Sequence, residues 1–220
     1  MLDPQTKNSL FKQNPQILSS SFILILEILI KTEDFEKVEI ASQEQLRDWL
    51  VEHHQQTESV WLVTFKKNIL EKYVSTAEVL DELLCFGWID GIRRKLDDER
   101  TMQLISPRKT QHWAKSYKDR ASKLIALGKM QAPGLTSIEV SKQNGLWNYL
   151  DDVDNLIIPK DLLAALAENT EANAFFENIN DSSKRFALRW LKLSKTNTTR
   201  QNRIIRIVEL SSKGIKLPGS

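Results

Sequence analysis

The chain has 220 residues, 41% hydrophobic and 27% charged, with a net charge of +2. That is enough for one large domain or two small ones, and the balance is that of an ordinary globular protein rather than a disordered or fibrous one. Seven Gly and six Pro argue against a loop-rich all-β fold, and one cysteine, Cys85, excludes an internal disulfide.

The near-neutral total hides a segregated charge. Residues 93–129 carry 11 basic and 4 acidic side chains, and residues 181–220 carry 10 and 2. Between them, residues 150–180 carry 1 basic and 7 acidic side chains. The expectation is solvated helix faces, partly paired with that acidic stretch; a basic face for anions or nucleic acid is the rival reading.

Residues 1–33 read as an N-terminal extension. Its apolar run, Phe22 to Ile30, is nine residues with Glu27 inside, well short of the ~20 that cross a bilayer. It also lacks the pattern of an export signal, so a cytoplasmic protein is expected. An α+β domain is predicted over 34–145. Phe35, Val38 and Ile40 open a short strand. Ser42 with Gln45 forms a capping box for a helix carrying Leu46, Trp49 and Leu50. Val60 to Lys66 is apolar on both faces, as a central strand is. Ser75 with Glu78 caps a second helix, and Gly87 stands where a left-handed cap ends it. Trp88 to Leu96 and Thr101 to Ile105 form a hairpin, giving a small, mostly antiparallel sheet with helices.

From Gln111 the chain reads as helical. Helices are expected at 111–127, 135–144, from Pro159, at 171–179, at 183–193 and from a Thr198–Gln201 cap onward. Residues 146–215 thus form a C-terminal helical module, with 216–220 as a tail.

Several motifs follow one another in order: VWLVTFKK at 60–67, CFGWIDG at 85–91, RTMQLISPRK at 100–109, LIALGKM at 124–130, NGLW at 144–147 and KRFALRWLKLSK at 184–195. With them, residues 35 to about 215 resemble the YdeI/OmpD-associated, or bacteriocin-protection, family. The resemblance implies a bacterial α+β protein with a C-terminal helical module and a role in protection against bacteriocins or antimicrobial peptides. It carries no reaction. After SPRK the family pattern is Ser-x-Trp-Ser-x-x-Asn, whereas this chain has Gln111-His112-Trp113-Ala114-Lys115-Ser116-Tyr117.

The candidate ligand site is Trp88, Asp90, Arg94, Arg100, Arg108, Lys109 and Trp113. An aromatic strand face beside a carboxylate suits a small ligand, and arginines match carboxylate or phosphate oxygens in pairs. The bland counterpart makes Trp88 and Trp113 core and Asp90 a structural ion partner. The alternative function is nucleic-acid association through Lys184, Arg185, Lys195, Arg200 and Arg203. An enzyme ranks last. No nucleophile–base spacing is legible, Cys85 reads as buried, and the three histidines make no metal constellation, so no catalytic residue, cofactor or metal is assigned. The partner expected is a small anion, with nucleic acid less favoured. The oligomeric state is not legible.

Overall fold

A computed structural model of the protein describes residues 35–220; the apolar run at Phe22–Ile30 lies outside them. Strand β1 (Lys37–Glu39) is short. Helix α1 (Gln43–His53) starts at the foreseen cap: Ser42 Oγ accepts from the Gln45 amide at 3.2 Å, and Gln45 Oε1 accepts from the Ala41 amide. Its buried stripe is Leu46 and Leu50. Strand β2 (Val60–Phe65) is buried at every residue, which is why its sequence shows no alternation. A single 3-10 turn at Leu70–Lys72 interrupts the next loop. Helix α2 (Thr76–Cys85) opens on the reciprocal Ser75–Glu78 box. Those bonds to Ser75 hold the Glu78 carboxyl below its ordinary pKa.

The hairpin strands are β3 (Trp88–Lys95) and β4 (Arg100–Pro107). The sheet order is β1-β2-β4-β3. β2 pairs antiparallel with β4, Leu62 facing Gln103 and Thr64 facing Thr101. β1, however, joins β2 in parallel, so the sheet is mixed. A capped helix lies between those two strands and carries the chain back, as a parallel crossover requires.

The hairpin contains an irregularity. Arg108 N donates to Gly87 O, and at the other end Leu96 N donates to Arg100 O. That is nine steps along β3 against eight along β4, so β3 holds one extra residue. A Cβ on Gly91 would lie 3.2 Å from Leu104 O, while Arg93 reaches Gln103; the bulge therefore falls at Gly91–Ile92.

Helix α3 spans Lys115–Ala126 and α4 spans Ala132–Gln143. A short helix, α5 (Asp151–Asp154), precedes α6 (Lys160–Ala167), α7 (Thr170–Asn178), α8 (Asp181–Lys192) and α9 (Asn197–Ser212). Several ends differ from the sequence expectation, the start of α4 at Ala132 rather than residue 135 among them. Residues 111–114 stay outside α3, Pro159 is the cap before α6 rather than its first residue, and Thr196 rather than Thr198 caps α9, through the Thr199 amide. The last four helices share a core built on Leu162, Leu166, Phe176, Leu188, Leu191 and Ile204.

The chain divides into two compact units. One runs to Val79 and adds Ile89–Pro107; the other joins Leu80–Trp88 to Arg108–Ser220. Among the described residues no helix is long and apolar enough to cross a membrane.

Candidate functional site

The seven ligand candidates fall into both units. Asp90, Arg94 and Arg100 belong to the unit of the sheet; Trp88, Arg108, Lys109 and Trp113 belong to the helical unit.

In the sheet unit, Arg100 is directed at two carboxylates, Asp97 at 2.6 Å and Glu39 at 2.5 Å, so it fastens the hairpin turn to β1. The side-chain bond from Arg100 holds the Asp97 carboxyl below its ordinary pKa, and the two acids raise that of the guanidinium. Arg94 lies over the Trp61 ring, 5.1 Å from its centre. Asp90 accepts from Gln103 Nε2 at 3.1 Å, and Gln103 Oε1 accepts from Arg93 Nη2 at 2.6 Å. Neither Gln103 nor Arg93 was among the sequence candidates. On a regular strand, residues 90 and 93 face opposite ways; the bulge turns both toward Gln103. The buried Thr64 is next along the sheet, its hydroxyl 3.3 Å from that of Thr101.

In the helical unit, Trp88 and Trp113 are each 1% exposed and pack as core. Arg108 lies flat over Trp113, its guanidinium carbon 4.1 Å from the ring centre, and 5.4 Å from that of Tyr117. Its Nη1 donates to Gln111 O at 3.3 Å. Gln111 also holds the Lys109 amide through its side-chain oxygen, and the Lys109 side chain is exposed. Trp113 is fixed from below by Trp147, at 4.8 Å, and its amide donates to Leu146 O. Its indole Nε1 is buried and has no hydrogen-bond partner. Beside this cluster the chain turns at Gly87. Gly87 is left-handed, at φ 72°, and gives its carbonyl to Arg108 N.

His112 stacks on Tyr149 at 4.0 Å, and Lys192 approaches the same ring at 4.7 Å. Burial, then the charges of Arg189 and Lys192, lower the His112 pKa. Cys85 is fully buried. Among the described residues no group of His, Cys, Asp or Glu could hold a metal ion.

The basic residues of the nucleic-acid reading are mostly engaged within the module. Arg200 grips Asp161 through Nε and Nη2 at 2.6 and 2.9 Å. Their hydrogen bonds, with the Coulomb attraction between them, raise the Arg200 pKa and lower that of Asp161, and burial opposes the shift in both. Arg185 lies 3.5 Å from Asp181 and donates to Asp154 O. Lys184 donates to Glu177 O, and Arg203 to Trp190 O while covering that ring. Lys195 is exposed. Lys118 pairs with Asp151 and Lys192 with Asp152. The acidic stretch thus serves as internal counter-charge.

Residues 155–214 match the family described as Bacteriocin-protection, YdeI or OmpD-Associated. The match covers about a quarter of the chain. It corresponds to α6 through α9, the module with the Leu162–Phe176–Leu188 core. Residues 38–137 match instead a domain of unknown function, so the family match is confined to the C-terminal module rather than running from residue 35. No curated protein and no solved structure matches the chain.

Proposed function

We propose that this bacteriocin-protection-type protein acts by binding a small oxyanion at the Arg108–Trp113–Tyr117 cluster, in the cytoplasmic setting its sequence suggests. One observation carries the reading: the Trp113 indole N–H is buried with no acceptor, directly beneath a guanidinium. A buried donor left unmade costs about 1–3 kcal/mol. An oxygen-bearing guest removes that cost, and the arginine charge favours an anionic one. Lys109, exposed and next to Arg108 in the sequence, adds a second cation. No proton or group transfer is assigned, because the cluster pairs donors with rings and holds no nucleophile.

The test is thermal denaturation with inorganic phosphate, sulfate and citrate. A ligand at a hundred times its Kd stabilises by about 2.7 kcal/mol, or several degrees for a chain of this size. Trp113→Phe keeps an aromatic ring, though a smaller one, and removes the N–H. It should fold and lose most of the anion response, and Arg108→Gln should lose it too. Unchanged melting of the native protein in all three anions would refute the reading, as would an equal response in Trp113→Phe.

A further inference from the structure

One end of the helical module holds a small slot. It lies wholly within the helical unit, where the end of α7 meets the first turn of α8 and the last turn of α9. Phe175, Phe176, Ile179 and Leu210 give it apolar walls, and Ser183 and Ser211 line it as well. Its cavity is about 10 Å³, room for about one water-sized group.

The serines are the unusual part. They are 3% and 5% exposed, and a buried hydroxyl ordinarily finds a partner. Other serines on or just past a helix bond a carbonyl of the preceding turn: Ser141 to Ser137 O, Ser194 to Leu191 O and Ser212 to Glu209 O. Among the described residues, neither the Ser183 nor the Ser211 hydroxyl makes a hydrogen bond, to a carbonyl or to the other. Two donors with unused capacity therefore stand in an apolar slot. No carboxylate side chain lines it, Lys216 does, and Ser183 stands at the positive end of α8. Two hydroxyls, an ammonium and a helix start together suit a carboxylate.

Residues 215–220 close the slot. Leu217 packs on the module core. The last link to a helix is Ile215 N donating to Leu210 O. From Lys216 on, among the described residues, the hydrogen bonds run only from Ser220 to Leu217 O. Ile215 and Lys216 are exposed. A segment held chiefly by one apolar side chain, with no hydrogen bond to its support, is among the first to open.

We propose that the slot binds a short aliphatic carboxylate: its head takes the Ser183 and Ser211 hydroxyls, and its chain takes the place of the Leu217 side chain. The cavity alone is too small for such a chain; with Leu217 lifted, a linear chain of similar bulk fits. Lys216, beside Leu217 on the same segment, then closes over the head.

Amide shift mapping by NMR on the full chain tests this, with hexanoate, hexanol and acetate as probes. Hexanoate should shift residues 183, 211 and 217. It should bind at least about tenfold more tightly than acetate, because each methylene buried is worth a few-fold. Hexanol, with the chain but not the charge, should bind less tightly than hexanoate. Leu217→Ala should tighten hexanoate, since no side chain has to be displaced. Ser183→Ala and Ser211→Ala should each weaken it several-fold. Both serine variants should be at least as stable as the native protein in urea, because each removes a hydroxyl that has no partner. Absence of shifts at 183 and 211 overturns the assignment, as does equal binding of acetate or of hexanol. Unchanged hexanoate affinity in both serine variants, no gain in Leu217→Ala, or marked destabilisation by the serine changes overturns it as well. None of these outcomes bears on the anion response of Trp113→Phe.

Discussion

Gly134 should tolerate no side chain. It is the third residue of α4, where alanine ordinarily improves a helix by about 1 kcal/mol. Here a Cβ would stand 2.4 Å from Cys85 O, 2.6 Å from Leu84 O and 2.8 Å from Cys85 C, all inside the 3.0 Å that real Cβ atoms respect. These are backbone atoms at the end of α2, so no side chain can swing away. The two segments are also joined by Gln131 N donating to Cys85 O at 3.1 Å. Relief requires the start of α4 to retreat from α2. Overpacking of this kind costs about 1–3 kcal/mol, and the strained inter-helix bond adds to it. Gly134→Ala should therefore destabilise by about 1–2 kcal/mol net of its helix gain, lowering Tm by roughly 2–8 °C. Urea denaturation followed by circular dichroism reads the loss directly. Gly87→Ala should be worse, because its Cβ would meet Pro133 O at 2.9 Å and the residue sits at φ 72°. Equal or greater stability for Gly134→Ala would show that α2 and α4 do not approach as closely as described.

Asp161→Asn should cost about 0.5–1 kcal/mol at neutral pH, since the Arg200 pair is roughly one-third exposed and partly screened. The folded-state pKa of Asp161 is depressed, so the contribution is present above the unfolded value and lost as pH falls through the folded one. The difference in urea midpoint between the two proteins should shrink as the pH falls below 3.8, and a difference that stays constant there would point to packing instead. His112 also has a depressed pKa, from burial and the nearby Arg189 and Lys192 charges. Its neutral form is the one the fold favours, so stability should decline as pH drops below ~6.5, the unfolded value. His112→Gln should flatten the stability profile between pH 7.5 and 5; an identical slope in the variant would contradict this. Cys85 is fully buried, so a thiol reagent that modifies the urea-unfolded chain within minutes should leave the native protein unmodified over the same time.

Local signals read correctly from the sequence are those with short-range causes. Ser42–Gln45 and Ser75–Glu78 cap their helices because a hydroxyl, an amide and an acid three residues apart meet wherever a helix starts. The uniformly apolar β2 is central because both its faces are covered. Gly87 is left-handed for the reason its position suggested. At the α9 start, two threonines two residues apart offered equal hydroxyls, and Thr196 took the role the pattern had given to Thr198. The parallel placement of β1 depends on how a helix returns the chain, and no alternation of residues three long encodes that direction.

The candidate site was legible in part, and its gap has a single cause. Arg108, Trp113 and the core position of Trp88 follow from residue type and neighbourhood. Arg93 and Gln103 do not, because period-two alternation places Arg93 on the face away from Asp90. One inserted residue reverses that parity for everything on one side of it. The only sequence mark of the insertion is Gly91, whose missing Cβ lets β3 come within 3.2 Å of Leu104 O at that point. A glycine in a hairpin strand, followed by charges whose parity looks wrong, is therefore a reason to consider both parities. Done here, it would have put Arg93 beside Asp90 and left a buried glutamine on the facing strand as the group able to bond both.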